Sequence, residues 1–193
     1  GRKSMGIIDR DEENGIVTFA KPVGVVASLT PVTNPVVTAM NNLVNAIKGK
    51  NSIIISSHPT SLKSCIHSVE LFKEILSSYD APENLVQIIR EPSIEKTNEL
   101  MAACDVVVAT GGHAMVKAAY GSGRPSYGVG QGNVQCIVDR DADLNFAVET
   151  IITGRTFDNG IICSGEQTSI LPEEKYEEAV EIFKANKVHY IED

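Results

Sequence analysis

The sequence predicts an α/β fold, in which a parallel β-sheet carries helices on both faces. Two observations lead to this prediction. Short apolar runs typical of buried strands alternate with stretches of helical spacing, and the alternation continues from Pro35 almost to the end of the chain. The chain has 193 residues, of which 42% are hydrophobic, so it can bury the core of one domain or of one domain and part of another.

The first predicted elements are two helices with a strand between them. Apolar residues recur at helical spacing from Val36 to Ile47, and Gly49 is suited to end that helix. Residues 52–56 form a short apolar run, which predicts a buried strand. An apolar stripe over residues 61–78 predicts the second helix and places Cys65 in the core.

The middle of the chain repeats this alternation. Ser93 is a suitable N-cap for a helix that reaches about Ala103, and the apolar runs 85–89 and 105–109 predict strands on either side of it. The second of these strands runs into Thr110, Gly111 and Gly112 before a helix that begins near His113. Backbone amides and the helix dipole at such a place favour phosphate, although the segment also fits an ordinary strand-to-helix turn and lacks the Gly-x-Gly-x-x-Gly pattern.

A glycine-rich passage at residues 128–133 is too irregular for the interior of a central strand. We expect the chain to cross there from one domain, residues 1–132, to a second one, residues 133–193. The pattern predicts strands over residues 134–139 and 168–171, and helices over residues 141–155 and 173–185.

Composition and charge exclude several kinds of partner. The formal net charge of −8 argues against nucleic acid and against an anionic membrane surface, and no apolar run approaches the length of a membrane span. No signal peptide opens the chain, so the expected compartment is the cytoplasm. The cysteines and histidines are widely spaced, which predicts neither disulfides nor a metal site.

Residues 157–167 surround Cys163 with small and turn-forming residues. Asp158, Asn159 and Gly160 are a strong turn signal, and the two isoleucines that follow are expected to form a short buried approach to the cysteine. An exposed thiol in such a turn is how a nucleophile is presented. A small apolar residue under a loop is an equally good interpretation of the local residues.

The segment around Cys163 resembles the active-site cysteine motif of the aldehyde dehydrogenase superfamily, and is most similar to its coenzyme A-acylating branch. Residues 29–35, 109–112 and 128–133 resemble three further motifs of that family in the right order, so the resemblance covers nearly the whole chain. It implies a Rossmann-like dinucleotide-binding domain over residues 1–132, incomplete at its N-terminal side, and the beginning of a catalytic domain over residues 133–193.

The resemblance also implies the catalytic groups. Cys163 would attack the aldehyde, and the side chain of Asn34, with the backbone amide of the cysteine, would hold the oxyanion that forms. From the residues alone, an Asx-turn or a helix cap is the more common role for an asparagine that precedes Pro35 and a helix. Glu166 could be a base, although an ion pair or a loop hydrogen bond is the expected role.

Ten residues match the family's cofactor contacts. The bound cofactor would be NAD or NADP, and the choice stays open because neither an acidic side chain nor an arginine follows the strand that ends before His58. The matching residues are Thr30, Pro31, Thr33, His58, Pro59, Thr110, Gly111, Gly112, Val129 and Gly130.

Val129 is the most informative departure from the hydrolytic branch of the family. It matches the position of the glutamate that activates water in hydrolytic relatives, and a valine cannot accept a proton. The thioester on Cys163 would then be discharged by the thiol of coenzyme A, so the implied partners are a small aldehyde and coenzyme A. Three alternatives remain for the function. They are a non-catalytic nucleotide-binding or coenzyme A-binding module, a hydrolytic aldehyde dehydrogenase and a cysteine hydrolase. Family members are more than twice as long as this chain, so the resemblance implies that the chain is a middle section of a longer protein. It also implies that the full-length protein is a homo-oligomer.

Overall fold

The computed structural model describes residues 3–191, and the chain divides into two compact units, the first ending at Gly130 and the second beginning at Gln131. In chain order, the elements of the first unit are β1 (Gly6–Asp11), β2 (Ile16–Ala20), β3 (Val25–Thr30), α1 (Pro35–Lys48), β4 (Ser52–Ser57), α2 (Leu62–Ser77), β5 (Val86–Ile88), α3 (Ile94–Ala103), β6 (Val106–Thr110), α4 (His113–Tyr120) and β7 (Ser126–Val129).

Five of these strands form one parallel sheet. The order across the sheet is β5-β4-β3-β6-β7, so β3, which comes first of the five in the chain, lies at the centre. It pairs with β4 on one side and with β6 on the other. The chain therefore builds one half of the sheet outward from β3, then returns to the opposite side of β3 to build the other half.

Helices cover both faces of this sheet. On one face, Leu43 of α1 and Val69 of α2 pack against Ile53 and Ile55 of β4. On the other face, Leu100 and Met101 of α3, with Cys104 directly after it, pack against residues of β3 and β6. The predicted α/β class, with a parallel sheet and helices on both faces, is confirmed.

Strand β7 was not predicted, and it is an edge strand, which agrees with a glycine-rich passage too irregular for the interior of a central strand. Gly128 lies inside this strand, which pairs with β6 at the edge of the sheet. A side chain at position 128 would overlap Val116 and Tyr120 of α4, so the glycine allows the helix to pack closely on the strand. The hydroxyl of Tyr120 also donates a hydrogen bond to the carbonyl of Gly128, at 3.3 Å.

The hairpin of β1 and β2 was not predicted. Its strands pair antiparallel around a turn in which the carboxylate of Asp11 accepts hydrogen bonds from the backbone and side-chain N–H groups of Asn14, and these bonds lower the pKa of Asp11. Gly15 takes a positive φ of 67° in that turn. Asn14 followed by Gly15 is a hairpin signal that the sequence did contain.

The second unit contains a small parallel sheet and two helices. Its elements are β8 (Gln135–Ile137), α5 (Leu144–Thr156), β9 (Thr168–Ile170) and α6 (Tyr176–Ala185). Strands β8 and β9 pair parallel, and Val148 and Ile151 of α5 form a core with Ala179 of α6. Cys163 lies in the connection between α5 and β9.

No helix within residues 3–191 is both long enough and apolar enough to cross a membrane.

Candidate active site

The residues predicted to contact a cofactor lie where the parallel strands of the five-stranded sheet have their carboxyl ends. We call this side of the sheet the sheet edge, and it is distinct from the edge strands β5 and β7. Because β3, β4, β6 and β7 are parallel, their carboxyl ends, at Thr30, Ser57, Thr110 and Val129, all lie at this edge. Every predicted contact is one of these end residues or follows one of them within three positions. The structure thus gathers all ten in one region of the first unit, and their role in binding stays a prediction.

The crevice between β3 and β6 is the place in such a sheet where ligands bind, because the connections leave the two central strands in opposite directions. From β6 the chain passes through Gly111 and Gly112 into α4. A side chain at Gly112 would meet nothing within 4 Å, so the space beside this glycine is open. Gly112 is the N-cap of α4 and supplies no side-chain acceptor, which leaves N–H groups of the first turn available to an anion.

Two buried hydroxyl groups lie at the ends of β3 and β4. Thr30 and Ser57 are register partners, 7% and 4% exposed, and within residues 3–191 neither side-chain oxygen has a hydrogen-bond partner. Other buried hydroxyls of these strands are paired: Asn42 donates to Ser28 Oγ at 2.9 Å, and Ser56 Oγ lies 3.1 Å from Thr97 Oγ1. Unpaired buried polar atoms are uncommon in folded proteins, and their location marks this edge as a polar site.

Asn34 presents its side chain to solvent. It is the N-cap residue of α1, and its backbone carbonyl accepts from the N–H of Thr38 at 3.1 Å. Its side chain makes no capping hydrogen bond, so a side-chain helix cap is not its role in this structure. The hydroxyl of Thr33 donates to Asn34 Oδ1 at 3.3 Å, which leaves the Nδ2 group as a donor for another molecule.

Cys163 lies in a turn of the second unit that is built from unusual backbone conformations. Asp158, Asn159 and Gly160 all have positive φ angles, of 51°, 54° and 71°. Arg155 Nη1 donates to the carbonyl of Gly160 at 3.2 Å, and this bond ties the turn to the end of α5. Cys163 is exposed, but Ile161 is 52% exposed as well, so the predicted buried approach is wrong at that residue.

The other cysteines are in different surroundings. Cys65 and Cys104 are fully buried, and Cys136 on β8 is half-buried. Burial raises the pKa of the Cys104 thiol. A buried, protonated thiol is a poor nucleophile, whereas an exposed one is open to attack and alkylation.

Glu166 does not make the expected contact. Its Oε2 atom is buried and has no hydrogen-bond partner within the described part of the chain. The carboxylate packs against Gly154 of α5, where any side chain would overlap it. Neither an ion pair nor a loop hydrogen bond holds this atom, so that expectation was wrong.

Two residues of the sheet edge were not predicted: Ser57 and Thr60. Ser57 continues the alternation of Ile53 and Ile55 on one face of β4, and this period of two was the available signal. Thr60 contacts the ring of His58, with 2.7 Å between Thr60 Oγ1 and His58 Nδ1. Within residues 3–191, no group of three or more His, Cys, Asp or Glu side chains is placed to hold a metal ion.

Residues 2–189 match the model of the aldehyde dehydrogenase family. The succinate-semialdehyde dehydrogenase (acetylating) of Clostridium kluyveri is 53% identical over 192 residues, which are 100% of this chain and 42% of that protein. The crystal structure of an acetylating aldehyde dehydrogenase from Geobacillus thermoglucosidasius is 40% identical, with a TM-score of 0.89 over 100% of this chain and 43% of the other.

A third similar protein is the propionaldehyde dehydrogenase of Rhodopseudomonas palustris, solved with bound CoA and an acylated cysteine. It is 35% identical, with a TM-score of 0.80 over 90% of this chain and 40% of the other. The chain belongs to the aldehyde dehydrogenase family, and it spans less than half the length of these relatives.

Proposed function

We propose that the full-length protein is a coenzyme A-acylating aldehyde dehydrogenase, which oxidises a small aldehyde to an acyl-CoA and runs the reaction in both directions. The observation that carries the proposal is Val129. The motif match aligns it with the glutamate that activates water in hydrolytic relatives, and its hydrocarbon side chain is 60% exposed at the carboxyl end of β7. The named activities of the similar proteins support the same branch of the family.

Cys163 supplies the nucleophile in this proposal. Its sulfur, as the thiolate, forms a bond to the aldehyde carbon, and the carbonyl electron pair moves onto the oxygen. The exposed position of Cys163 in its turn suits this attack. The Nδ2 donor of Asn34 and the backbone N–H of Cys163 would stabilise the oxyanion, and one such donor lowers a barrier by about 3 kcal/mol.

The sheet edge of the first unit fits a dinucleotide. It offers an open approach at Gly112, available N–H groups in the first turn of α4, and the buried hydroxyls of Thr30 and Ser57. Thr30, Pro31, Thr33, His58, Pro59, Thr110, Gly111, Gly112, Val129 and Gly130 would hold NAD or NADP there. When bound, the oxidised nicotinamide supplies the acceptor for the hydrogen and electron pair that leave the aldehyde carbon.

Discharge of the acylated cysteine completes the reaction. The sulfur of coenzyme A forms a bond to the thioester carbon, the bond to Cys163 Sγ breaks, and the cysteine leaves as a thiolate while the proton of the attacking thiol passes to solvent. A thiol needs less activation than water as a nucleophile, so this step does not require a carboxylate at position 129.

The proposal predicts that steady-state NAD(P)H production by the full-length protein depends on added coenzyme A. Without it, the acylated cysteine accumulates, and a burst of about one equivalent per active site is expected. Rapid-mixing absorbance measurements with a panel of small aldehydes would detect both phases. Val129→Glu would add slow hydrolysis if its side chain reaches the water position.

Sustained release of free carboxylic acid without coenzyme A would contradict the proposal. In that case another residue is the base, and Glu166 would be the first to replace, by glutamine. The protein would then belong to the hydrolytic branch.

We also propose that the full-length protein is a cytoplasmic homo-oligomer. The hairpin of β1 and β2 exposes Ile16, Val17 and Phe19, which is a surface suited to association. The free thiol of Cys163 is maintained most easily in a reducing compartment. Light scattering of the purified full-length protein tests the first statement, and cell fractionation tests the second.

A further inference from the structure

We propose that Arg155 is a positioning residue, which holds the turn around Cys163 in the conformation that presents the sulfur. The inference rests on the proposed function, because it concerns the nucleophile of that reaction. Arg155 belongs to α5 and precedes the segment 157–167 that resembles the cysteine motif, so the motif match did not include it.

The backbone of the turn is the first part of the argument. Asp158 and Asn159 both take the left-handed conformation, and Gly160 makes a third such residue in succession. For residues with a side chain this conformation is sterically unfavourable, and it persists only where the surroundings hold it. The N–H of Ile161 donates to the carbonyl of Asp158 at 3.1 Å, but this bond joins two residues of the turn and does not attach the turn to the rest of the unit.

The contact with Arg155 is the second part. Arg155 Nη1 donates to the carbonyl of Gly160 at 3.2 Å, and within residues 3–191 no other side chain makes a hydrogen bond to any of residues 157–165. A side chain at position 160 would lie 3.2 Å from the carbonyl oxygen of Arg155 and 3.6 Å from its guanidinium carbon. None of the ion pairs in the described part of the chain includes Arg155, so a backbone carbonyl is the partner of this guanidinium.

The far end of the turn is the third part. The N–H of Gly165 donates to the carbonyl of Ile162 at 3.3 Å, and this bond closes a tight turn with Cys163 inside it. Gly165 is buried, and a side chain there would lie 3.2 Å from the carbonyl oxygen of Gly154 and 3.7 Å from the Cα of Arg155. The segment that carries the cysteine therefore lies against the last turn of α5 at its far end as well.

These contacts define what Arg155 does for the reaction. Gly160 and Gly165 enclose the cysteine in the sequence, and both lie against the end of α5. The sulfur and the backbone N–H of Cys163 are the groups that the proposed reaction uses, so their places depend on this attachment. A displacement of reacting groups by about 1 Å can slow a reaction about 10²-fold. Loss of the Arg155 bond releases one end of the segment and leaves the Gly165 end in place.

Three variants of the full-length protein test the proposal. Arg155→Met keeps the length of the side chain and removes the donor, whereas Arg155→Lys keeps a donor and the charge. Arg140→Met is the matched control, because Arg140 is an exposed arginine of the same unit whose guanidinium pairs with Glu174 at 2.9 Å. The rate and amplitude of the NAD(P)H burst without coenzyme A are measured, together with dinucleotide affinity and Tm. Hydrogen exchange, read by mass spectrometry over residues 157–165, reports on the turn itself.

Arg155→Met is expected to lower the burst rate about tenfold, while the amplitude stays near one equivalent per site and dinucleotide affinity is unchanged. Exchange over residues 157–165 should become faster. Arg155→Lys should recover most of the burst rate, and Arg140→Met should behave as the wild type does. Because Arg155 is exposed, a Tm near that of the wild type is expected for all three variants.

Four results would overturn the proposal. They are an unchanged burst rate or unchanged exchange in Arg155→Met, equal losses in Arg155→Met and Arg155→Lys, a smaller amplitude at an unchanged rate, and an altered pH dependence of Cys163 alkylation by iodoacetamide. The third result would show that Arg155 only keeps the protein folded. The fourth would show that its charge acts on the sulfur.

Failure of the proposed function is a separate result. If the wild type gives no burst with any aldehyde of the panel, the catalytic proposal is wrong. The exchange comparison needs no turnover, so faster exchange in Arg155→Met would still support the attachment of the turn by Arg155, and equal exchange would overturn it.

Discussion

The four cysteines of this chain lie in different surroundings. Cys163 alone is exposed, in a turn that three consecutive residues with positive φ angles build. Non-glycine residues in that conformation are uncommon, and they persist where the surrounding structure holds them. The turn thus offers a physical reason why the sulfur at 163 is exposed.

Cys163→Ala in the full-length protein is expected to lower aldehyde oxidation by about 10⁴-fold or more while dinucleotide affinity stays nearly unchanged. Cys136→Ala is the matched control and should keep its activity. Mass spectrometry after iodoacetamide treatment of the folded wild type should find the label on Cys163. Equal labelling of Cys136 and Cys163 would count against the assignment.

Asn34 is the second residue whose role can be measured by itself. Asn34→Ala removes the Nδ2 donor, and we expect kcat to fall by about 10²-fold or more with little change in KM, because the donor acts on the developing oxyanion. Thr33→Val removes the hydrogen bond to Asn34 Oδ1 and should have a smaller effect of the same kind. A change in KM alone for Asn34→Ala would show that the residue binds substrate without stabilising the transition state.

At the scale of elements, the sequence predicted most of what apolar periodicity determines. The helix over residues 61–78 is α2, Leu62–Ser77, and the helix capped by Ser93 is α3, with the Ser93 hydroxyl oxygen accepting from the N–H of Lys96. Strand β7 was missed because its edge position tolerates Gly128. The side-chain cap that the local residues left open as an alternative for Asn34 is not made, because Asn34 caps α1 only with its backbone. Contacts that join distant residues, such as the register of Thr30 with Ser57, cannot be obtained from local patterns.

The thiol of Cys104, at the end of α3, makes the stability of the folded state depend on pH. Its sulfur lies 3.4 Å from the carbonyl oxygens of both Met101 and Val106, which share the single S–H donor, and burial raises the pKa of the thiol. Between the pKa of the thiol in the unfolded chain and its higher pKa in the folded state, the folded state keeps a proton that the unfolded state has lost. The stabilising contribution is therefore complete below the pKa of the unfolded state and is lost as the pH rises through the higher pKa of the folded state.

We expect the Tm of the wild type to fall more steeply than that of Cys104→Ala as the pH rises above about 8.5, the ordinary pKa of a thiol, because the variant lacks this titration. Calorimetry at a series of pH values measures both slopes. The variant begins from a lower Tm at neutral pH, since a buried sulfur is removed. Identical slopes would mean that other groups cause the alkaline loss of stability.

At the scale of the whole molecule, the chain consists of two compact units that meet in sequence at residues 130–131. Residues 130–133 are exposed and have no regular secondary structure, which is the kind of segment that proteases cut first. Brief treatment of this chain with a protease of broad specificity should give fragments of about 130 and about 63 residues, sized by mass spectrometry. A first cut between β3 and β6 would contradict the division into units.

The central position of β3 also determines the order in which the molecule can be built on the ribosome. The backbone N–H of Val25 donates to the Asp105 carboxylate at 2.8 Å, across a sequence separation of 80 residues. At translation rates of about 5–20 residues per second, one side of β3 waits roughly 4–16 s for its partner strand to be made. During that interval β3, a strand that is buried over most of its length in the folded protein, has an open edge, the kind of surface on which nascent chains associate wrongly. Slower elongation would lengthen this exposure, whereas chaperones that shield extended apolar segments would protect it until β6 arrives.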